Sequence, residues 1–320
     1  MHVIEILKNR KKTLISLEIT PPEKGRSIEE IFQSVEILKK YNPAFINVTY
    51  HQQQIVYEEI GSEIKKVPRR KKPGTIGICA ALAHKYNIET VPHIICGGFN
   101  KYETEDALID LNYLGLSNLF ALRGDPPAGI IKFTSETDGH KNASELVKQV
   151  SDLNNGKYLE DLENATPTNF CIGVAGYPEK HYEAPNLEAD IQHLKEKIDQ
   201  GASYIITQMV FSSEIFKKYL KIVQSAGIDV PIIPGVKVIT NKRQLSLIPS
   251  LFKIDLPEEL VQSINQARDD QAAKEAGINF AMNLCEQLIQ LNVPCLHFYT
   301  MGKGTVVAEV LKRLKQKALI

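Results

Sequence analysis

Residues 169–211 read NFCIGVAGYPEKHYEAPNLEADIQHLKEKIDQGASYIITQMVF. Positions 170–177 form an apolar run closed by Pro178, which removes a backbone donor, so a strand ends there. Positions 187–200 place apolar side chains at helical spacing and stop at Gly201, the residue that best tolerates a left-handed helix cap. Positions 203–211 are a second apolar strand. Strand, helix and strand in succession predict parallel pairing, because a parallel partner needs a crossover.

The same alternation extends in both directions. Further strands are predicted at 14–20, 44–50, 90–96, 118–125, 231–239 and 296–301. Helices are predicted at 28–40, 77–86, 103–114, 142–153, 213–226, 241–251, 257–266, 269–292 and 305–317. Residues 56–67 are amphipathic, and Arg69-Arg70-Lys71-Lys72 is expected to be a solvated turn. Residues 128–169 have a Gly/Asn/Lys-rich middle and read as loops on either side of a helix. Eight strands, apolar on both faces and separated by helices, predict an α/β fold: a (β/α)8 TIM barrel. It is expected to be a single domain over 1–320 with extra helices. A doubly wound open sheet is the competitor, but no G-x-G-x-x-G follows the first strand and no break in composition marks a second domain.

Composition narrows the function. The 320 residues carry 38 basic and 38 acidic side chains, so the formal net charge is zero. Nucleic-acid binding wants a basic excess, and so does a polybasic membrane anchor. The N-terminus lacks the apolar core of a secretory signal, and no apolar run reaches membrane-span length. The five cysteines are odd in number and never spaced as a zinc knuckle or redox pair, which predicts free thiols and a cytoplasmic location. His93 and Cys96 are close enough to suggest a metal, but the other ligands of a known pattern are missing. No metal is expected. His84 and His140 are expected at the surface.

A barrel of this kind carries its active site at the C-terminal strand ends. Those ends supply Glu18, Thr49, Tyr50, His93, Arg123, Asp125, Tyr177, Glu179, His181, Gln208, His297, Tyr299, Thr300 and Lys303. Glu18 sits among apolar neighbours, where burial would raise its pKa and suit it to general-acid work. A buried glutamate paired with Arg or Lys fits the same position. Asp125 is either a fixed negative charge beside a cofactor or a turn cap before Pro126-Pro127. Gly124 would let a ligand approach the backbone. The glycine-flanked stretch from Met301 to Thr305 opens the last helix and could hold an anion, or could be an ordinary turn.

Together these segments resemble the methylenetetrahydrofolate reductase family. The matching pieces are Leu17-Glu18-Ile19-Thr20-Pro21-Pro22, Val48-Thr49-Tyr50, Pro92-His93-Ile94-Ile95-Cys96 and Ala121-Leu122-Arg123-Gly124-Asp125. They continue with Ala175-Gly176-Tyr177-Pro178-Glu179-Lys180-His181, Ile206-Thr207-Gln208, Ile232-Ile233-Pro234-Gly235 and His297-Phe298-Tyr299-Thr300. The likeness runs over essentially the whole chain and is to the bacterial catalytic unit, with no C-terminal regulatory domain expected. It implies a TIM barrel holding FAD noncovalently and reducing 5,10-methylenetetrahydrofolate to 5-methyltetrahydrofolate for methionine synthesis. NADH or NADPH would be the donor, in two half-reactions.

The resemblance also implies roles. Glu18 matches the general acid that protonates a folate nitrogen and opens the ring to an iminium cation. Asp125 matches the aspartate near flavin and pterin. Thr49, Tyr50, His93, Arg123, Gly124, Ala143, Tyr177, His181, Ala184, Asp190 and Lys197 match FAD contacts. Gln208, Gln244 and Lys303 match substrate contacts. A homo-oligomer is implied as well. There are departures. Lys303 replaces an arginine and loses its bidentate fork. Gln208-Met209-Val210-Phe211-Ser212 stands where an aromatic run is usual. Gln52 replaces a small residue and His193 an asparagine. Two other functions compete: a barrel lyase or aldolase with Lys237 or Lys303 as Schiff-base amine, and a non-catalytic folate- or flavin-binding barrel.

Overall fold

A computed structural model describes residues 1–61, 63–126, 132–302 and 304–320. Ten strands are present among them: β1 (Leu14–Ile19), β2 (Phe45–Val48), β3 (Gln54–Ile60), β4 (Glu63–Arg69), β5 (Glu89–Ile95), β6 (Asn118–Leu122), β7 (Cys171–Gly176), β8 (Tyr204–Met209), β9 (Ile232–Val236) and β10 (Cys295–Tyr299). The helices are α1 (Val3–Lys8), α2 (Glu29–Leu38), α3 (Thr75–Tyr86), α4 (Lys101–Tyr113), α5 (Ala143–Asn154), α6 (Leu187–Asp199), α7 (Ser213–Ser225), α8 (Gln244–Phe252), α9 (Glu258–Asn265), α10 (Asp270–Gln290) and α11 (Gly304–Gln316).

Eight strands close into a parallel barrel in the order β1-β10-β9-β8-β7-β6-β5-β2. Each of the eight overlaps a predicted strand, and β1 closes the ring by pairing with both β2 and β10. The fold class is therefore the expected one. Inside the barrel, Phe45, Val91, Phe120, Tyr204, Ile206 and Ile233 pack as one buried cluster. Val3 and Leu7 of α1 join that cluster and plug its lower end, where the Val3 amide donates to Asn118 Oδ1 at 2.8 Å. With the N-terminal end plugged, the strands' C-terminal ends form the open mouth. A larger cluster fills the layer between the barrel and its helices. The connection from β9 to β10 holds α8, α9 and α10, two more helices than a barrel connection needs, and a third cluster under them builds one wall of the mouth.

Two expectations are corrected. Residues 56–67 are no continuous element: they lie in an antiparallel hairpin, β3 with β4, that pairs Val56 with Val67 and Tyr57 with Lys66. His140 is buried at 3% exposure, because its Nε2 meets Gln149 Oε1 of α5 at 2.5 Å.

Candidate active site

A cavity of about 700 Å³ opens at the barrel mouth, a volume typical of small-molecule sites. Glu18, Thr49, Tyr50, His93, Arg123, Gly124, Asp125, Tyr177, His181 and Gln208 all line it. These residues come from six different strands or the turns that follow them, so only barrel closure brings them together.

Glu18 lies in β1 in register with Asn47 of β2 and Tyr299 of β10. Its side chain is 17% exposed, and its Oε2 stands 3.7 Å from His93 Nε2 and 3.8 Å from His297 Nε2. No Lys or Arg pairs with it among the described residues. The simple structural ion pair is therefore not what holds Glu18 in place. Below it the barrel is polar. His297 Nδ1 bonds to Ser16 Oγ at 2.9 Å, and the Asn47 carboxamide nitrogen reaches His93 Nε2 at 3.1 Å. His297 Nε2 and Asn47 Oδ1 are buried without a hydrogen-bond partner in this structure. Such orphaned groups are costly away from a functional site.

Burial pushes the His93 pKa down to about 4, against a smaller upward pull from Glu18. His93 is thus neutral at neutral pH in the folded protein and protonated below about 6.5 in the unfolded chain. The stability it contributes is full above pH 6.5 and is lost as pH falls towards 4, to a total of about 3 kcal/mol. We expect urea midpoints to fall between pH 7.5 and pH 5 and to fall less for His93→Asn. An unchanged pH slope in that variant would refute the assignment.

The loops after β2, β5 and β6 are tied together by one residue. With its carboxamide oriented to satisfy both partners, Gln52 donates to the Asp125 carbonyl at 2.9 Å and accepts from the Gly98 amide at 3.1 Å. Gly124 has φ +85°, a conformation glycine adopts without strain. The Asp125 carboxylate is exposed at the rim. At the same strand end, Arg123 Nη1 donates to Glu183 Oε2 at 2.5 Å, and its guanidinium lies 4.9 Å from the centre of the Phe133 ring.

Residues 3–315 match the family profile described as methylenetetrahydrofolate reductase. The chain belongs to the methylenetetrahydrofolate reductase family. It is 30% identical over 314 residues to a Caenorhabditis elegans protein named probable methylenetetrahydrofolate reductase (NADPH), covering 97% of this chain and 43% of that one. An Arabidopsis thaliana methylenetetrahydrofolate reductase (NADH) 1 is 29% identical, with 98% and 51% covered. The chain thus spans about half the length of these eukaryotic relatives. The Escherichia coli 5,10-methylenetetrahydrofolate reductase is also 29% identical, with 91% and 86% covered. Among solved structures, a Clostridium thermocellum protein described as binding two copies of 5-methyl-5,6,7,8-tetrahydrofolic acid superposes with a TM-score of 0.57. That likeness covers 99% of both chains at 15% identity and is one of fold.

Of the other residues named from the resemblance, the described ones (Ala143, Ala184, Asp190, Lys197 and Gln244) do not line the cavity. Asp190 and Ala184 hold the turn after β7 from behind. Asp190 Oδ2 accepts from the His181 amide at 3.0 Å, and the Ala184 amide donates to the His181 carbonyl at 3.0 Å. Lys197 Nζ donates to the Ala175 carbonyl at 2.6 Å, and burial pushes its pKa down to about 8 despite Asp190 nearby. Ala143 is the first residue of α5. Gln244 opens α8 with its Oε1 turned back to the Thr240 amide at 2.7 Å. Lys303 lies outside the described residues. Lys237 is 8% exposed, with its pKa pushed down to about 8 by burial, and does not line the cavity.

Ser16 and Asn47 were not singled out from sequence. A signal for them exists: each precedes a mouth residue by two positions, Ser16 before Glu18 and Asn47 before Thr49, and so faces the same way on its strand.

Proposed function

We propose that this chain reduces 5,10-methylenetetrahydrofolate to 5-methyltetrahydrofolate with NADH or NADPH, using FAD held at the barrel mouth, and so supplies methyl groups for methionine synthesis. The observation that carries this reading is the setting of Glu18: a carboxyl on the cavity wall, above buried histidines, with no cation paired to it among the described residues. That placement suits a proton donor rather than a structural ion pair.

The residues at the mouth fit FAD. Apolar Phe120, Leu122, Ile206 and Met209 and the rings of Tyr50 and Tyr177 line the same cavity as the cations Arg123 and Lys180. A flat ring system carrying a diphosphate needs that combination, with Arg and Lys suited to the phosphates. Thr49, Tyr50, His93, Gly124, Tyr177 and His181 would hold the cofactor with Arg123, while Lys197 and Asp190 would brace its phosphate side. FAD would supply the hydride relay between nicotinamide and folate.

The chain's own part is positioning and proton transfer. Glu18 Oε2 would deliver a proton to the folate nitrogen that leaves when the five-membered ring opens. His93, held neutral by burial, keeps a second positive charge away from that proton. Asp125 at the rim would stabilise the cationic iminium that ring opening creates. Gln208, whose Oε1 accepts from the Met209 amide at 3.0 Å, and Gln244 would fix the pterin, with Lys303 as a further substrate contact.

The deciding experiment is optical. The purified protein should be yellow, should bleach anaerobically on addition of NADH or NADPH, and should regain colour with methylenetetrahydrofolate. A colourless protein that does not take up FAD would overturn the reading.

A further inference from the structure

The basic cluster at 69–72 is expected from sequence to be a solvated turn, and the structure puts part of it to another use. The β3–β4 hairpin is inserted between β2 and α3, and its return strand brings residues 70–72 back to the barrel mouth. That return is fastened on both sides of Lys72. Arg70 Nη2 donates to the Tyr50 hydroxyl at 3.0 Å, and the Lys71 carbonyl accepts from the Lys24 amide at 2.6 Å. Gly74 then caps α3.

Lys72 itself lines the cavity that contains Glu18 and Arg123. Its side chain is only 19% exposed, yet its carboxylate partner, Glu23, is 3.9 Å away and 61% exposed. A contact that long, to a group that solvated, contributes little. Burial lowers the Lys72 pKa, with Glu23 only partly offsetting it. A cation that has lost hydration without gaining a close counter-charge is matched to an incoming anion.

We infer that Lys72, delivered by the hairpin, is a specificity-determining residue that receives a carboxylate or phosphate of the molecule exchanging hydride at the mouth. This rests on the proposed function, which names the two sources: the glutamate carboxylates of folate and the phosphates of the pyridine dinucleotide. The phosphates of FAD are assigned elsewhere. Arg123 and His181 follow β6 and β7, two and three strands round the barrel from β2, which the hairpin follows.

The test uses the FAD-loaded protein and two variants. Lys72→Met removes the charge and keeps the aliphatic stem; Lys72→Arg keeps the charge. In one arm, the Kd of 5-methyltetrahydrofolate is read from the perturbed flavin spectrum. In the other, the Kd of NADH and of NADPH is read from the concentration dependence of anaerobic bleaching. Lys72→Met should weaken one arm about tenfold, the size of one charge-assisted contact. Lys72→Arg should recover most of that loss, and added salt should weaken the wild type more than Lys72→Met. Loss in the folate arm assigns a carboxylate, and loss in the nucleotide arm a phosphate. If the wild type binds both ligands and Lys72→Met binds them equally well, the inference fails. It fails also if Lys72→Met loses FAD while binding of both ligands to the reconstituted protein is unchanged. A wild type that takes up no FAD is the separate failure of the proposed function.

Discussion

Glu18→Gln is expected to stay yellow and to be bleached by NAD(P)H at close to the wild-type rate, while its reoxidation by methylenetetrahydrofolate is all but abolished. Glutamine has the shape of glutamate and keeps the contacts of Glu18 with the barrel wall. It carries no proton acidic enough for the transfer that ring opening requires. Proton transfer from a positioned side chain contributes roughly 10²–10⁴-fold, so reoxidation should slow by at least about a hundredfold. Nicotinamide oxidation releases no leaving group that needs protonation, so the first half has no such requirement. Stopped-flow traces of the two halves separate these cases. Equal loss in both halves would refute a folate-specific acid and make Glu18 a cofactor contact.

The setting of Glu18 also shows what sequence can carry. Its strand and its place at the mouth follow from apolar runs punctuated by proline and glycine, a signal each barrel strand carries by itself. Its partners do not. Ser16, Asn47, His93 and His297 meet beneath it only because β1, β2, β5 and β10 adjoin in the closed barrel. The hairpin was illegible for a different reason. Tyr57, Ile60 and Ile64 are exposed at 69%, 50% and 71%, and no described side chain of the ribbon is buried, so hydrophobic periodicity has no buried face there to report. His140 was misplaced because its burial depends on one tertiary partner, Gln149. Lys72 reads as part of a solvated run until the hairpin turns the chain back onto the mouth. Charge alone does not distinguish a solvated lysine from one that lines a cavity.

The second large effect concerns how the helices between β9 and β10 set the mouth. Gly277 lies mid-way along α10, where alanine would ordinarily be favoured by about 1 kcal/mol. Here the opposite is expected. A Cβ at 277 would stand 1.6 Å from the Ile239 carbonyl oxygen and 2.8 Å from its carbon. Both are backbone atoms, so no rotamer change relieves the clash. The helix or the chain after β9 must retreat by roughly 1.5 Å to restore van der Waals contact. Retreat of α10 would open gaps along the face carrying Ala273, Ile278, Ala281 and Leu288. Overpacking and the resulting voids together put the cost of Gly277→Ala at about 3 kcal/mol or more. The alternative retreat, by Ile239, moves Thr240, whose amide and hydroxyl hold Gln244 Oε1 at 2.7 and 3.1 Å. Any fraction that folds should therefore bind folate more weakly while binding FAD normally. Gly77 in α3 supplies the contrast, since no atom lies within 4 Å of a Cβ built there. Gly77→Ala should raise the urea midpoint by the helix-propensity gain of up to about 1 kcal/mol. If Gly277→Ala also raises the midpoint, α10 is not locked against the chain after β9, and the placement of Gln244 must have another cause.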